Sequence, residues 1–420
     1  MHITKKKQTL LATLLLFIFA QAFVFADGYR NTPEGARALG AIGGYRAFAD
    51  DANATIHNPA NLVDLEAPMV QINTTLGYGH NRLSNAFGSA KTEDTFYAIP
   101  GFSIAAPLKE GKYAVGFAAY VPFGRSVNWG EDSFLASMGA PYSGSMTVFD
   151  FTPNVAMRLN DSLSIAIGAD IYYGQVEQEQ FLFGLGGFGI PDGTKSKLTG
   201  DGTALGWNAA ITWEMTKKQR LFATYRSPFT IKYKGDNEYS LGGTTFMTSD
   251  VDAKIEHPTI IALGYGVEFT DTLRAEVDVE WLEFSTYQNL TINDSNLGPI
   301  TSPQKLKDTW TIGIGGEWNF ATNWTARSGF KYIRNPTPDS TYSPLGPDED
   351  QTVISFGLGY ENENHAVDIG YAYGFFNGRS VSGNQSPLYD GNYDYDLSVV
   401  TLSYGYKFQK RMLCQKTACL

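Results

Sequence analysis

The sequence is poor in cysteine. Its two cysteines, Cys414 and Cys419, both lie close to the C-terminus of the 420-residue chain. A secreted chain of this length with no other cysteine is not built on a disulfide framework. Neither cysteine has a nearby histidine or a second cysteine pair that would complete a zinc site, so we predict neither a metal nor a cofactor.

Positive charge and long apolar runs are also scarce. The chain has 32 Lys and Arg against 43 Asp and Glu, which gives a formal net charge of −11. Because binding to phosphate backbones requires clustered Lys and Arg, we expect no nucleic-acid partner. After the first 26 residues no stretch approaches the roughly 18 uninterrupted apolar residues of a membrane-spanning helix.

The N-terminus has the three parts of a signal peptide. Lys5–Lys7 supply a positive region, Leu10–Phe19 supply an apolar region, and Val24 and Ala26 are small residues before a cleavage site. We therefore predict a signal peptide over 1–26. The alternative is an uncleaved anchor helix, but the apolar run is short for a membrane span.

Glycine and aromatic residues are abundant. There are 44 Gly, 27 Phe and 24 Tyr, while only 18% of residues are charged, a composition typical of a large all-β structure. The segment 273–281 alternates strictly, with Leu273 and Val279 on one face and Glu276 and Asp278 on the other. A soluble sandwich would bury the apolar face, whereas a membrane barrel turns it toward lipid.

Fourteen segments share this strand-like pattern, at 69–80, 96–107, 111–121, 145–159, 162–180, 201–215, 219–234, 252–270, 272–288, 306–321, 323–335, 350–362, 364–377 and 393–408. Six short turns alternate with seven long connections, among them 122–144, 181–200 and 235–251. An even strand number with short turns at one end is typical of outer-membrane barrels. We predict an all-β fold, a transmembrane antiparallel β-barrel of about 14 strands.

Aromatic residues near the predicted strand ends agree with a barrel, because amphipathic rings favour membrane interfaces. They are Trp129, Trp213, Trp281, Trp318, Trp324, Tyr404, Tyr406 and Phe408. The alternative explanation is the ordinary strand propensity of aromatic residues. That propensity explains their presence in strands better than their position at strand ends.

The segment 27–66 is rich in Gly and Ala and has no long apolar face, so it is a poor independent domain and must pack inside another structure. A barrel of about fourteen strands encloses more space than its wall side chains fill. We predict that 27–66 forms a hatch inside the lumen of a barrel at 67–408, followed by a tail at 409–420. Because lipid cannot satisfy unpaired backbone groups, the first and last strands must pair, and we expect a monomer.

Three short motifs in the predicted hatch carry a family resemblance. They are Gly35, Ala36, Arg37, Ala38, Leu39 and Gly40; then Ala49, Asp50, Asp51 and Ala52; then Asn58, Pro59 and Ala60. With the run Tyr120–Gly124, they resemble the long-chain fatty acid outer-membrane transporters (FadL-type, including aromatic-hydrocarbon channels). The resemblance implies a 14-stranded barrel with an N-terminal hatch and passive uptake of hydrophobic molecules. We interpret Asp50, Asp51, Asn58, Pro59 and Ala60 as structural and gating residues.

In this family, ligands leave sideways through a gap in the wall at a kinked third strand, which by resemblance is 111–121 here. Gly116 and Pro122 fit a third strand with weakened hydrogen bonding to its neighbour, because Gly marks bends and Pro donates no backbone hydrogen bond. The alternative is an ordinary strand that ends at a proline.

By the same resemblance, the external loop 122–144 supplies an apolar ligand groove. The candidate groove residues are Phe123, Trp129, Phe134, Leu135 and Met138. The alternative is that these residues only pack the loop against the rim. A fatty acid carboxylate would also need a lumenal cation, for which strand parity indicates Arg226, Arg327 and Lys331. The alternative for these cations is an ion-pair network with Glu268, Asp278 or Glu317.

Other functions remain as alternatives. A general porin or a structural or adhesin barrel is compatible with the strand pattern, although a hatch opposes free diffusion. A lipid hydrolase needs a nucleophile and a base, and no histidine lies in a G-x-S-x-G context, so we predict no enzyme. Expected partners are hydrophobic molecules, outer-membrane lipid, lipopolysaccharide and the barrel assembly machinery, which reads a terminal aromatic residue such as Phe408.

Overall fold

The computed structural model describes residues 28–93 and 95–408. The predicted signal peptide, the tail after Phe408 and both cysteines lie outside the described residues. Within the described part of the chain, no helix is long and apolar enough to cross a membrane.

The described residues form one antiparallel sheet of twenty segments. These are β1 (Met69–Asn85), β2 (Gly88–Lys91), β3 (Thr95–Leu108), β4 (Tyr113–Asn128), β5 (Ser143–Asn160), β6 (Leu163–Leu182), β7 (Thr194–Thr216), β8 (Gln219–Arg226), β9 (Phe229–Leu241), β10 (Thr244–His257), β11 (Ile260–Glu268), β12 (Leu273–Leu282), β13 (Asn289–Asp294), β14 (Gly298–Pro303), β15 (Thr309–Ala321), β16 (Trp324–Ile333), β17 (Gln351–Glu361), β18 (His365–Phe376), β19 (Arg379–Val381) and β20 (Gly391–Lys407).

The sheet closes into a barrel because β1 pairs with both β3 and β20. Six strands of the barrel are each divided into two segments, namely β2/β3, β8/β9, β10/β11, β12/β13, β14/β15 and β18/β19. The twenty segments therefore make 14 strands. Both the fold class and the strand number predicted from alternation are confirmed.

Most of the long connections are shorter than predicted, because the strands continue beyond the membrane, although the connection predicted at 336–349 spans 334–350. The connection 235–251 is a hairpin, in which β9 runs to Leu241 and β10 begins at Thr244. Gly242 and Gly243, with φ of 60° and 80°, form its two-residue turn. Above the membrane neither face must be apolar, so the ladder continues while the alternation that marks it in sequence fades.

The two faces of the wall differ in polarity as predicted. On β12, Val277 and Val279 are exposed on the outside, while Glu276, Asp278 and Glu280 are buried inside. Exposed outer residues on many strands are Leu, Ile, Val or Phe. This outer band is stable only against lipid. The tryptophans of the predicted aromatic belt are exposed at the strand ends, except Trp129, which is buried in the external cluster.

The lumen holds residues 28–66, hereafter the hatch. It contains two short helices, α1 (Ala36–Gly40) and α2 (Ala54–His57), and 3-10 turns at Arg46–Phe48 and Pro59–Asp64. Most hatch residues are buried by the wall. A third short helix, α3 (Phe134–Ser137), lies in the external loop after β4.

Glycine allows the hatch backbone to touch the wall backbone. A Cβ on Gly44 would lie 2.3 Å from the backbone of Gly315, and one on Gly43 would lie 2.6 Å from Gly313. A Cβ on Gly370 would lie 2.5 Å from the carbonyl oxygen of Ala36. The small inward residues of the wall and the Gly-rich hatch motif are therefore two sides of one interface.

Polar side chains complete this interface. Asp50 forms ion pairs with Arg37 of the hatch (2.7 Å) and Arg274 of the wall (3.2 Å). Partial burial of Asp50, whose side chain stays 45% exposed, opposes its ionisation, but the two arginines hold its pKa down at about 2. Asp51 accepts hydrogen bonds within the hatch, from Tyr45 Oη (2.5 Å) and the Asn53 backbone N–H (2.8 Å).

The Asn58-Pro59-Ala60 motif joins the hatch to β7. The Asn58 side-chain amide donates to the Arg46 carbonyl (3.1 Å) and to Thr212 Oγ1 (2.9 Å). Pro59 is the first residue of a 3-10 turn, where a missing N–H costs little. Ala60 is fully buried. These contacts are structural, and a gating role for the motif stays a prediction.

Candidate functional site

A cavity of about 100 Å³ lies between the hatch and the wall. The hatch contributes its N-terminal residues 30–34 and the region around His57. The wall contributes residues of β4, β6, β7, β8, β9 and β16, together with Glu280 of β12. The cavity therefore lies at the point where the start of the hatch meets the third strand of the barrel.

One side of the cavity is aromatic. The ring of Phe229 stacks on Tyr172 (centroids 3.5 Å apart, 10° between planes) and on His257 (4.3 Å, 12°). Phe123 packs against both Phe229 and His257, at 5.9 and 5.0 Å between centroids. Tyr29 closes this cluster from the hatch side. Such a surface fits a flat or flexible apolar group.

The other side is cationic. Glu280 forms ion pairs with Arg30 (2.5 Å) and Arg46 (3.1 Å) and also contacts Lys331. Arg46 reaches Asp278 as well (3.3 Å). Three cations therefore converge on Glu280, and their N–H groups give this end of the cavity donors that suit an anionic group.

The predicted cations divide between two places. Lys331 and Arg226 line the cavity, whereas Arg327 lies in the opening on the other side of the hatch. Arg226 is held by Asp150 (3.0 Å) and Asp170 (2.9 Å), which lie on neighbouring strands. The predicted partners Glu268 and Asp278 do not pair with these three cations, because cross-strand register brings other carboxylates closer.

Arg327 forms the ion pair with Glu317 that sequence parity allowed, at 2.6 Å, and also binds Asp368 at 2.7 Å. Sequence reasoning missed Arg30 and Arg46, since their positions in the cavity depend on the hatch path. The sequence signal that could have identified them is the presence of basic residues in the Gly-rich hatch.

Glu34 and His57 form a third edge of the cavity. Burial raises the pKa of Glu34 to about 7, and one oxygen of its carboxyl group has no hydrogen-bond partner among the described residues. Burial lowers the pKa of His57 to about 3, and its Nε2 lies 2.8 Å from the Glu34 carbonyl oxygen. His57 is therefore a neutral structural residue at physiological pH.

The wall is incomplete beside the cavity. The ladder between β3 and β4 joins only Phe102–Leu108 with Tyr113–Ala119. Above it, in the described residues, β3 pairs with β1 while β4 continues along β5 with a bulge between Tyr120 and Phe123. Phe96 is 79% exposed on the outer face of β3, so this gap lies in the apolar band.

The hatch fills the gap. Its residue Arg30 pairs with Phe123, and the Asn31 backbone N–H donates to the Pro122 carbonyl (2.9 Å). The carboxyl group of Glu34 occupies the space beside Gly101 on β3. The start of the hatch thus replaces the missing wall strand.

Gly116 does not lie at the gap. It pairs in register with Ala105 and Asn154, and a Cβ there would meet Thr55 of the hatch at 2.4 Å. The prediction that Gly116 bends the third strand is therefore wrong, because the bulge lies at Val121 and Pro122. The role of Gly116 is to let the hatch approach.

The external loop packs its largest residues inward. Trp129 and Leu135 are buried, and Trp129 Nε1 donates to the Pro344 carbonyl (3.1 Å). Phe123 lies lower, in the cavity. Phe134 is half-buried and Met138 is 50% exposed. Of the five predicted groove residues, Phe123 therefore lines the cavity, Trp129 and Leu135 are buried inside the loop, and Phe134 and Met138 lie at its surface.

A closed barrel with a lipid-facing outer band and a lumen occupied by a hatch is an outer-membrane channel of the plugged class. The chain belongs to the family of outer membrane protein transport proteins (OMPP1/FadL/TodX), whose model matches residues 17–408. The protein accordingly belongs to the bacterial outer membrane.

Characterised relatives agree with this assignment. The chain is 25% identical over 406 residues to the long-chain fatty acid transport protein of Escherichia coli O6:H1, covering 86% of this chain and 90% of that protein. It is 24% identical to the protein of the same name from Salmonella typhi, with 90% and 93% covered.

Solved structures share the fold. A Pseudomonas aeruginosa FadL homologue superposes with a TM-score of 0.81 at 19% identity, over 91% of this chain and 100% of that one. The Pseudomonas putida toluene transporter TodX gives 0.74 at 17% identity, over 92% and 100%. At these identities the likeness establishes the architecture.

Proposed function

We propose that the protein takes up hydrophobic molecules passively, through an external groove, the cavity and lateral release at the gap between β3 and β4. Relatives named for transport of long-chain fatty acids and of toluene support this class of substrate. The driving force is apolar area removed from water, about 25 cal/mol per Å².

The observation that carries the proposal is a cavity directly behind a gap in strand pairing that only the start of the hatch fills. The cavity joins an aromatic cluster around Phe229 to the cations Arg30, Arg46 and Lys331. A molecule with an apolar tail and a carboxylate would satisfy both ends, which favours fatty acids over uncharged hydrocarbons. Arg226 and Lys331 remain our candidates for ligand contact, and Arg327 belongs to the hatch–wall network.

Ligand entry must move the start of the hatch. The cavity holds about 100 Å³, below the roughly 300–1,000 Å³ of typical ligand sites. Residues 31–34 form its wall on the gap side. Displacing them would enlarge the cavity and open the gap together, so binding and release are coupled without an energy source.

The external groove is best placed on the surface of the loop rather than on its buried residues. Met138 and Phe183 are both about half-exposed, and Gly139 brings the end of α3 against Phe183. Phe134 lies at the other edge, beside Gly88. This patch would hold a ligand weakly before it enters the barrel.

The remaining organisation follows from the proposal. We propose a signal peptide at 1–26, a hatch at 27–66, a barrel at 67–408 and a tail at 409–420. The protein acts as a monomer without catalytic activity, is assembled by the barrel assembly machinery and sits in lipopolysaccharide-containing membrane.

Blocking the gap tests lateral release. Thr32 is a half-buried hatch residue beside the gap, so Thr32→Trp should obstruct it. Oleate uptake by cells lacking their own transporter should then fall sharply. Thr74→Trp adds the same side chain on β1, where the ladder is intact, and should leave uptake unchanged.

Two results would contradict the proposal. Unchanged uptake by Thr32→Trp would place the exit elsewhere, through the hatch. A purified barrel that binds neither oleate nor toluene but conducts small ions freely would favour the porin alternative.

A further inference from the structure

Helix α2 of the hatch packs against a buried polar layer of the wall. The layer is made of inward side chains from β5, β6 and β7, all at most 3% exposed, namely Asp150, Thr152, Asn154, Asp170 and Asn208. The strand register places Asn154 and Asn208 in one row, on either side of Gly168. Asn208 and Arg226 also line the cavity, so a small solute in the cavity can reach the layer.

The charges of this layer do not balance. Arg226 Nη1 lies 3.0 Å from Asp150 Oδ2 and 2.9 Å from Asp170 Oδ1, so one guanidinium serves both carboxylates. No second cation pairs with either carboxylate in the part of the chain that the structure describes. The two carboxylates together therefore carry one negative charge without a counterion. Because an uncompensated charge is costly in a buried site, the layer favours a further cation.

The hydrogen bonds of the layer do not balance either. Four buried oxygens accept no hydrogen bond from any described residue, and they are Asp150 Oδ1, Asp170 Oδ2, Asn154 Oδ1 and Asn208 Oδ1. Turning the amides over would not correct this, because Asn154 Nδ2 donates to the Thr55 carbonyl (3.3 Å) and Asn208 Nδ2 donates to Asp170 Oδ1 (2.7 Å). All four groups are acceptors, and a buried acceptor without a donor or a cation destabilises the fold.

The four side chains form one cluster. A Cβ on Gly168 would lie 2.1 Å from Asn154 Oδ1 and 2.7 Å from Asn208 Nδ2, so both amides bend over this glycine. Asn208 Nδ2 in turn contacts Asp170 on the strand between them. The two carboxylates are joined through the same guanidinium nitrogen. The oxygens that lack donors therefore come together from three neighbouring strands.

The chemistry of this cluster selects the kind of ion. Carboxylate and amide oxygens suit a hard cation. A calcium ion takes about six to eight oxygens, but Arg226 already binds one oxygen of each carboxylate, and the single spare charge matches a monovalent ion. Among the described residues, no group of three or more His, Cys, Asp and Glu side chains could hold a metal ion, so the cluster suits an alkali cation bound partly by amides. Because its ligands come from three strands, no spacing in the sequence marks such a site.

We propose that this layer binds one sodium ion through the free oxygens of Asp150, Asp170, Asn154 and Asn208. The ion balances the spare charge and satisfies the acceptors at the same time. The layer also holds the hatch, since the Thr55 carbonyl accepts from Asn154 and the Ile56 carbonyl accepts from Arg226 Nη2 (3.0 Å). Bound sodium therefore stabilises the docking of α2 against the wall, and this role does not depend on the uptake of hydrophobic molecules.

The test uses the full chain purified in detergent, with sodium chloride as the probe and choline chloride holding the ionic strength constant. Equilibrium dialysis against radioactive sodium should show one saturable ion per barrel. Asp170→Asn removes the spare charge while keeping the size of the side chain, and should abolish saturable binding. Asp201→Asn makes the same change on the exposed outer face of β7 and should bind sodium like the wild type.

Hydrogen exchange gives a second readout at the hatch. Because a ligand of the docked state stabilises it by the factor 1 + [Na⁺]/Kd, protection of the α2 amides should rise about elevenfold at ten times Kd. The rise should be absent in Asp170→Asn, whose folding is checked by the strand signal in circular dichroism, and Asp150→Asn replaces it if that signal is lost. Wild-type protein without saturable sodium binding would overturn the site and leave protons to satisfy the acceptors. A folded Asp170→Asn or Asp150→Asn barrel that binds sodium like the wild type would overturn it as well.

Discussion

Adding one methyl group to Gly315 is expected to displace the hatch from the wall. A Cβ at this position would lie 2.5 Å from the Ala41 carbonyl oxygen and 3.0 Å from the Gly44 backbone nitrogen, whereas ordinary contact begins at 3.4 Å. Both neighbours are backbone atoms, so no side chain can rotate away. The hatch must therefore move as a body, or the wall must bulge outward.

The cost follows from overpacking. Extra methylenes in a well-packed interior typically cost about 1–3 kcal/mol, which corresponds to about a 5- to 150-fold larger open population. The displaced segment would also lose the bond from Ser355 Oγ to the Gly40 carbonyl (3.0 Å). Gly315→Ala should therefore weaken docking of the hatch while leaving the lipid-facing wall intact.

Hydrogen exchange measures this directly. Amides of the hatch between residues 36 and 48 should lose protection by the same 5- to 150-fold factor, and ion conductance through the barrel should rise. Gly187→Ala is the matched control, because nothing lies within 4 Å of its added Cβ. Unchanged protection in a folded Gly315→Ala barrel would refute the argument that backbone contact between glycines seats the hatch.

Three further predictions address the hatch and the cavity. The pKa of Glu34 is about 7 in the folded protein and 4.5 ordinarily, so hatch docking should be most stable below pH 4.5 and should weaken as the pH rises toward 7. Hydrogen-exchange protection factors of the hatch should fall over this pH range. Glu34→Gln should abolish the fall. Asp64→Asn removes the partner of Arg158 and Arg220 and should raise hatch proteolysis by reducing docking by about 2 kcal/mol. Phe229→Ala removes the central ring and should weaken oleate binding by about tenfold, measured by fluorescence displacement; an unchanged value would place the ligand elsewhere.

The membrane barrel could be recognised in the sequence because one physical requirement acts on every strand. Each strand must present apolar residues to lipid and smaller or polar residues to the lumen, so a period of two recurs through the chain. Val277 and Val279 against Glu276 and Asp278 illustrate it. The requirement ends at the membrane surface, which explains why the extended hairpin at Gly242 and Gly243 was interpreted as a loop.

The lumenal site followed less well from sequence. Parity indicated that Arg226, Arg327 and Lys331 face inward, but not that Arg327 lies on the far side of the hatch. The partners of these cations depend on the stagger between strands, since Glu280 and Lys331 lie on strands separated by β15. The external loop could not be divided into buried and exposed residues, because both Trp129 and Met138 are apolar.

The sequence by itself determined the alternating wall, the number of strands and the small, Gly-rich hatch, because these depend on local period and side-chain size. Only the tertiary structure decided which strands the hatch contacts, which cations meet at Glu280 and where pairing between wall strands is interrupted. Those features depend on contacts between residues far apart in the chain: Arg30 pairs with Phe123 and reaches Glu280. No local pattern encodes such distances, so the gap and the cavity behind it emerge only when the barrel closes around the hatch.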